Sequence, residues 1–343
     1  MEYVQGVDQH MNGYLVAADG SGDFATIQAA IDAIPDQNTD KFVVRIRQGV
    51  YVEKLHIEKP WVHLIGEGAE QTIVTYDDYA LKTFPDGELY HTFHSYTALI
   101  GADDFTAEGL SFVNSAGPGK DVGQALAVYV DGDRAAFRGC RFIGHQDTIF
   151  TGPLPEQPMD RASFGGPRDG AERRKLRQYY EDCYIEGDID FIFGSATAVF
   201  KDCEIFAKNR LSDHASAEEK VNGWITAAST PEDVRYGYVF IDCALTGNAP
   251  PQSVYLGRPW RNHAKVCFLH CWMGAHVKQE GWHNWNKPDA EASVVFAEYN
   301  SKGPGAGSRA GRVPWATILN EQQAMEYSLS RVLSGEDEWQ PFG

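Results

Sequence analysis

Residues 180–203 read YEDCYIEGDIDFIFGSATAVFKDC, and the segment begins and ends on one pattern: an aromatic residue followed three positions later by a cysteine. The steps between successive cysteines of this pattern are 43, 20, 40 and 28 residues along the chain. They indicate a unit of about 20 residues, sometimes doubled or interrupted, which is the length of a solenoid coil. The pattern occurs at Phe137 to Cys140, Tyr180 to Cys183, Phe200 to Cys203, Phe240 to Cys243 and Phe268 to Cys271.

The six cysteines would suffice for three disulfides, but their common frame favours another state. A cysteine at one fixed position of every coil is a small, apolar, inward-facing side chain, and unpaired cysteine is among the most buried residue types. We therefore expect stacked free thiols, which are compatible with a reducing or an oxidising compartment.

The segments between these cysteines are short, rich in β-branched and aromatic residues, and bounded by Gly, Asp or Asn, as in Phe42–Ile46, Val62–Ile65, Ala127–Val130 and Val294–Phe296. None is followed by a convincing crossover helix. Serial strands without helices predict an all-β right-handed parallel β-helix, not a doubly wound α/β sheet. Length alone would suggest about two domains, but the repetition predicts one domain over residues 1–343.

Helices are predicted mainly at the ends. Thr26 is an expected N-cap for a helix over about 26–34, which Pro35 ends and which would close one end of the solenoid. A second helix is predicted over 321–333 within a tail of about 320–343. Residues 152–175 are crowded with Pro, Gly and charge and predict a long inserted loop, either a wall of the functional cleft or a solvated excursion.

Composition excludes some functions. A formal net charge of −18 disfavours binding to nucleic acid, whose phosphates require clustered Lys and Arg. The first twenty residues contain no apolar run, so neither a signal peptide nor a membrane helix is expected. The protein is expected in the cytoplasm, or outside the cell if an export segment has been removed, and as a monomer. If the substrate were a uronic-acid polymer, the same charge would favour stretches whose carboxyls are neutralised, for example as esters.

Three strings carry chemistry: Gln146-Asp147-Thr148, Asp190-Phe191-Ile192-Phe193-Gly194 and Leu256-Gly257-Arg258-Pro259-Trp260. Two carboxylates, an amide, a guanidinium and an aromatic ring are the groups needed to attack an acyl carbon in a sugar chain. Taken singly, each aspartate is more often a turn or cap residue, and each glutamine more often pairs with backbone. Their occurrence together and in order favours an enzyme.

With further strings, the chain resembles the pectin methylesterase (pectinesterase) family of carbohydrate esterases over roughly residues 14–319. The matching strings are Val16-Ala17-Ala18-Asp19-Gly20-Ser21-Gly22-Asp23-Phe24, Gly49-Val50-Tyr51-Val52-Glu53, Gln124-Ala125-Leu126-Ala127, the three strings above and Gly281-Trp282-x-x-Trp285. The ordered set is specific where any single string is weak. The resemblance implies a right-handed parallel β-helix that hydrolyses the C6 methyl esters of homogalacturonan.

The resemblance also implies roles. Asp190 matches the nucleophile that forms an acyl-enzyme, and Asp147 matches the acid that protonates methanol and then activates water. Gln146 and Gln124 match the amide donors to the oxyanion. Arg258 matches the residue that holds Asp190 anionic, which leaves the proton on Asp147.

Trp260 matches an aromatic platform for a sugar ring, and Thr97 matches a substrate-contacting threonine. The substrate implied is methyl-esterified pectin or its oligogalacturonides, hydrolysed without a cofactor. No metal site is expected, since His91-x-x-His94 lacks a matching cluster of ligands.

Two features depart from the family pattern. His145 precedes the Gln-Asp-Thr string where the family commonly has tyrosine, and Asp147 lies 43 residues before Asp190, a separation lengthened by the inserted loop. Two other classes of function stay open. A β-helix with paired aspartates can be a glycosidase of the polygalacturonase type, and Asn38-Thr39-Asp40 matches one of that family's strings without its companions. The chain can also be a non-catalytic carbohydrate-binding solenoid.

Overall fold

The computed structural model describes residues 12–159, 161–211 and 221–342. The expectation of no signal peptide concerns the first twenty residues, of which the first eleven lie outside the described residues. In the described part of the chain the strands pair in parallel to form three long sheets that wind as one solenoid. The predicted fold class, a parallel β-helix, is confirmed.

The coils in the middle of the solenoid each contribute one strand to each sheet in turn, and the terminal coils contribute fewer. Sheet 1 contains β1 (Gly13–Val16), β2 (Phe42–Ile46), β5 (Val62–Gly66), β8 (Thr106–Glu108), β11 (Ala135–Arg138), β14 (Arg177–Glu181), β17 (Thr197–Lys201), β20 (Tyr238–Ile241), β23 (Lys265–Leu269), β25 (Val295–Tyr299) and β26 (Thr317–Ile318). Sheet 2 contains β3 (Gly49–Val52), β6 (Thr72–Tyr76), β9 (Ser111–Asn114), β12 (Arg141–Ile143), β15 (Tyr184–Gly187), β18 (Glu204–Ala207), β21 (Ala244–Gly247) and β24 (Trp272–Met273). Sheet 3 contains β4 (Leu55–Ile57), β7 (Ala98–Ile100), β10 (Val128–Val130), β13 (Ile149–Thr151), β16 (Ile189–Gly194), β19 (Gly223–Ala228) and β22 (Val254–Gly257).

The aromatic residues of the repeated pattern stack along the inside of the solenoid. The ring centroids of Phe137 and Tyr180 are 4.9 Å apart, those of Tyr180 and Phe200 are 4.6 Å apart, and the planes are within 11° of parallel. Phe240 and Phe268 continue the stack at 4.6 Å and 4.4 Å. Because an aromatic side chain recurs at the same position of successive coils, the repeat in the sequence places one ring of this stack in each coil.

The six described cysteines are free and buried, which confirms the predicted thiols. The Sγ of Cys203 donates to the carbonyl of Tyr180 at 3.4 Å, and that of Cys243 donates to the carbonyl of Phe200 at 3.3 Å. These two thiols thus bond to backbone of the preceding coil while they fill small apolar spaces.

The residue before each of three of these cysteines makes the turn from sheet 1 to sheet 2. Asp182, Asp202 and Asp242 are exposed and have φ of 51°, 53° and 55°. Asp tolerates this left-handed region better than most residues because its short side chain bonds locally. These aspartates therefore serve the backbone and not a cleft.

Helix α1 (Ile27–Asp32) lies where the sequence predicts it, and the Thr26 hydroxyl accepts from the backbone N–H of Ala29. Its Ile27, Ala30 and Ile31 side chains join the solenoid core, packed over the first coil. Apolar residues at i, i+3 and i+4 thus cover the open end of the stack. The short helix α2 (Gly119–Val122) and 3₁₀ turns at Thr92–His94 and Pro288–Ala292 lie between strands.

The prediction of one helix over 321–333 is wrong. Helix α3 (Glu321–Ala324) and a 3₁₀ turn (Met325–Tyr327) precede Ser328, which is extended with ψ of 147°, and helix α4 (Leu329–Leu333) follows. The break lets Tyr327 and Leu333 both pack on the outer face of sheet 1. Burial against the sheet outweighs the local preference for a continuous helix.

The predicted inserted loop connects β13 to β14 without a strand or helix in its described residues, which exclude Asp160. Its Leu154 and Phe164 side chains are buried on the outer face of sheet 3, beside Phe93 and Tyr129. The loop therefore folds back over sheet 3, the sheet that carries the aspartates of the motifs.

In the described ranges no helix has the length and apolarity required to cross a membrane.

Candidate active site

Asp147 and Asp190 lie on neighbouring coils, near the start of two adjacent strands of sheet 3. Asp147 occupies the turn before β13, and Asp190 lies in β16, which pairs with β13 through Ile149 and Ile192. The backbone N–H of Asp147 donates to the carbonyl of Ile189 at 3.0 Å. Asp147 and Asp190 are 43 residues apart in sequence, yet they lie on adjacent coils, as the predicted solenoid requires.

Both aspartates have strained backbone conformations, with φ of 65° at Asp147 and 49° at Asp190. The pairing of β16 with β19 shifts register between Ile189 and Ile192, so two residues of β16 oppose one of β19. A bulge of this kind re-aims a side chain out of the regular alternation of a strand. Asp190 therefore points into a cleft although its neighbours Ile189 and Phe191 follow an apolar strand.

Arg258 holds the Asp190 carboxylate with two bonds. Its Nε donates to Oδ1 at 2.8 Å and its Nη2 donates to Oδ2 at 2.6 Å, which is the fork geometry of a strong charge-assisted pair. The guanidinium lies between two indole rings, 3.7 Å from the centroid of Trp224 and 3.7 Å from that of Trp285. A cation packed this way cannot swing away from Asp190 without losing both ring contacts.

The surroundings of the two carboxyls act differently on their pKa values. Burial, followed by the nearby Asp190 carboxylate, raises the pKa of Asp147 well above its ordinary value. Burial also raises the pKa of Asp190, but Arg258 opposes that rise. Because Arg258 bonds to Asp190, the arrangement favours an anionic Asp190 beside a protonated Asp147.

The two aspartates and Arg258 open into a cleft of about 350 Å³, which Gln124 and Gln146 also line. The backbone N–H of Ala125 donates to the carbonyl of Gln146, so the glutamines lie on adjacent coils. The structure thus brings together five of the predicted site residues. The inserted loop supplies Pro158, Met159, Arg161 and Phe164, which makes it a wall of the cleft.

Trp260 also lines the cleft and is partly buried. Its ring lies 5.7 Å from that of Phe193 and 6.0 Å from that of Phe164. A partly exposed indole supported from below by other aromatic rings is suited to stacking on a sugar ring. The residue predicted as a platform therefore lies in the cleft.

Basic side chains surround the acids. Arg161, Arg261 and Lys287 line the cleft together with Arg258. The Lys287 ammonium donates to the carbonyls of Pro259 and Trp260 at 3.0 Å and 3.1 Å, and burial lowers its pKa to about 8. The cleft is therefore locally cationic although the chain carries a net charge of −18.

The structure corrects the placement of Thr97. That residue is fully buried, and its hydroxyl donates to the carbonyl of Val113 at 2.9 Å, so it does not reach the cleft. The strand β7 begins one residue later and carries it into the wall of the solenoid. The threonine that lines the cleft is Thr92, five residues earlier, at the start of a 3₁₀ turn.

Several residues of the site escaped the sequence reading. The ring partner Trp224 has no motif of its own, whereas Trp285 belongs to the string Gly281-Trp282-x-x-Trp285, which carried no assigned role. Trp282 of the same string is buried in the core. Spacing alone cannot tell which of two neighbouring tryptophans faces inward. Among the described residues no group of three or more His, Cys, Asp or Glu is arranged to hold a metal ion.

Comparisons with known proteins agree with this geometry. A family model described as Pectinesterase matches residues 13–154 and 158–336. "Pectinesterase 31" of Arabidopsis thaliana is 35% identical over 321 residues, which cover 90% of this chain and 88% of that one. "Probable pectinesterase 8" of the same plant is 34% identical over 98% of this chain and 78% of its own length.

Solved structures are similar as well. The carrot pectin methylesterase superposes with a TM-score of 0.78 at 27% identity, over 97% of this chain and 96% of that one. A pectin methylesterase in complex with a hexasaccharide superposes with a TM-score of 0.77 at 29% identity, over 97% of this chain and 98% of that one.

Proposed function

The chain belongs to the pectinesterase family, and from that premise we propose that it hydrolyses the methyl esters of pectin with Asp190 as nucleophile and Asp147 as acid and base. The observation that carries the proposal is the buried pair itself. One carboxylate is held by Arg258 through two hydrogen bonds, and its neighbour has a strongly raised pKa. Both open into one cleft.

The first half-reaction uses both aspartates. An Asp190 oxygen attacks the C6 carbonyl of a methylated galacturonate, and the amide N–H groups of Gln124 and Gln146 stabilise the oxyanion. Collapse of the tetrahedral intermediate breaks the bond to methoxide, which takes the proton of Asp147 and leaves as methanol. The acyl group stays on Asp190 as an anhydride.

The second half-reaction reverses the roles. Asp147, now anionic, accepts a proton from water, and the resulting hydroxide attacks the anhydride. The products are galacturonic acid, which releases its proton to solvent and becomes the carboxylate, an anionic Asp190 and a protonated Asp147. The proton balance closes without a metal or a cofactor taking part in any step.

The substrate is proposed to be a methyl-esterified pectin or an oligogalacturonide. A structurally similar pectin methylesterase binds a hexasaccharide, and the cleft here offers Trp260 for stacking and Arg161, Arg261 and Lys287 for carboxylates. One chain supplies all of these groups, which supports the proposal that the protein acts as a monomer.

The test is a titration of acid release from methylated pectin by the wild type and by Asp147→Asn and Asp190→Asn, with methanol and reducing ends measured in parallel. The proposal expects methanol and acid from the wild type, no new reducing ends, and loss of both products in each variant. New reducing ends without methanol would identify a glycosidase instead. Binding of pectin without either product would identify a carbohydrate-binding protein.

A further inference from the structure

His145 lies directly before the Gln146-Asp147 pair and contacts a third buried acid. Its Nδ1 is 3.2 Å from Oδ2 of Asp188, which lies two residues before Asp190. The side chain of His145 is 24% exposed and that of Asp188 is 2% exposed. The partly exposed imidazole of His145 therefore covers the buried carboxylate of Asp188 next to the proposed catalytic aspartates.

The His145–Asp188 contact joins the same two turns that two backbone hydrogen bonds also join. The N–H of Asp188 donates to the carbonyl of His145 at 3.1 Å, and the N–H of Asp147 donates to the carbonyl of Ile189 at 3.0 Å. On the opposite side, the carbonyl of Asp188 approaches Gly223 so closely that a Cβ there would lie 1.7 Å from the oxygen. The turn carrying Asp188 is thus fixed by β19 on one side and by His145 on the other.

The described groups around Asp188 determine which side chain can contact its carboxylate. Its Oδ1 accepts a hydrogen bond from the backbone N–H of Ile189 at 2.7 Å, and the nearby Arg258 is paired with Asp190. Among the described residues, the other charged groups packed near the turn are Glu186 and Lys208, which pair with each other at 2.9 Å. In the part of the chain that the structure describes, the imidazole of His145 is therefore the side chain that contacts Oδ2 of Asp188.

Asp188 also acts on both reacting acids. Its negative charge contributes to the raised pKa of Asp147 and to that of Asp190. The Asp188 carboxylate, which His145 contacts, therefore affects how strongly Asp147 holds its own proton.

We propose that His145, through its contact with Asp188, is a positioning residue that fixes the turn of Asp147 against that of Asp190. The inference rests on the proposed function, because it takes Asp147 and Asp190 as the reacting carboxylates.

The experiment measures kcat and KM for methanol release from methylated pectin across pH for the wild type, His145→Phe, His145→Tyr and Asp188→Asn. In His145→Phe we expect kcat to fall about tenfold with KM within twofold, because the turn loses its side-chain clamp but the cleft stays intact. His145→Tyr can donate an O–H to Asp188 and should recover most of kcat. His56→Phe is the matched control, because His56 forms a similar 3.1 Å pair with Glu58 and does not line the cleft.

The pH profiles separate a role at the reacting acids from simple structural support. Loss of the Nδ1 contact in His145→Phe leaves the Asp188 carboxylate without this partner and should move the alkaline limb of kcat/KM to higher pH, since Asp147 then holds its proton more strongly. In His145→Tyr, whose O–H can replace the contact, the limb should stay near that of the wild type, and loss of the carboxylate in Asp188→Asn should move it to lower pH. Profiles of His145→Phe and Asp188→Asn that superimpose on the wild type would overturn the inference, as would shifts of the same sign in these two variants.

The two proposals fail in different ways. If the wild type releases no methanol, the proposed function is wrong. If the wild type is active and Asp190→Asn is inactive while His145→Phe keeps the wild-type kcat and pH profile, only the role of His145 is wrong. Thermal melts of each variant show whether a lost activity reflects unfolding.

Discussion

Two groups of aspartates with left-handed backbone have different surroundings in this solenoid. At the corner between sheets 1 and 2, Asp182, Asp202 and Asp242 are exposed. Near the start of β13 and β16 in sheet 3, Asp147 and Asp190 are 7% and 5% exposed and share one cleft. The backbone requirement is the same in both groups, so what distinguishes the proposed catalytic aspartates is burial, a like-charged neighbour and Arg258.

The sharpest test of this comparison replaces one aspartate of each group with asparagine. Asp190→Asn removes the nucleophile and should lower kcat by at least about 10³-fold, because an amide cannot form the anhydride. Asp242→Asn keeps the left-handed turn, since Asn tolerates it, and should leave kcat within twofold. Initial rates of methanol release decide the matter, and equal losses in the two variants would break the comparison.

The amide donors give the next largest effect. Gln146→Leu keeps the size of the side chain but removes its N–H, and we expect kcat to fall about 10²-fold with a smaller change in KM. The control is Gln252→Leu, whose amide bonds to the carbonyl of Val277 on a distant turn. A change confined to KM would show that Gln146 binds the ground state and not the oxyanion.

Lys287 should make substrate binding depend on pH. Because its pKa is lowered to about 8, it loses its positive charge as pH rises through that value. The KM for partly de-esterified pectin should therefore rise about fivefold above pH 8, the factor that about 1 kcal/mol of ion pairing represents. Lys287→Met should show the high KM at every pH, whereas Lys302→Met, at an exposed site outside the cleft, should behave like the wild type.

The smallest expected effect concerns stability. The native pKa of Asp147 is raised, so the stability this carboxyl confers is complete below its ordinary pKa and is lost as pH rises through the native value. Asp147→Asn removes that loss and should melt at a higher temperature than the wild type at neutral pH, with a difference that grows with pH. Asp242→Asn should show no such pH-dependent difference in Tm, and a lower Tm for Asp147→Asn at neutral pH would contradict the assignment.

The sequence predicted the fold well because a solenoid repeats one local rule. The aromatic and cysteine side chains at equal spacing define the stack, and each strand needs only its neighbouring coil. The tail at 321–333 was mispredicted because its helical periodicity competes with burial of Tyr327 and Leu333 on sheet 1. That competition is tertiary and is invisible in a single segment.

The site was predictable only in part, for a related reason. Asp147, Asp190 and Arg258 belong to distinctive strings, whereas the winding of the coils brings Trp224 against Arg258 and Lys287 into the cleft. Thr97 was assigned instead of Thr92 because the pattern does not reveal where a 3₁₀ turn gives way to β7. A five-residue difference in sequence moves the side chain from the cleft to the wall of the solenoid.

The central claim is that Asp147 carries a proton beside an anionic Asp190 in the resting protein. Difference infrared spectroscopy at about pH 6, where an ordinary aspartate is ionised, reports this directly through the C=O band of a protonated carboxyl. We predict a band that is present in the wild type and in Asp242→Asn and absent from Asp147→Asn. A wild type without the band, or a band that disappears in Asp190→Asn while Asp147→Asn keeps it, would contradict the account.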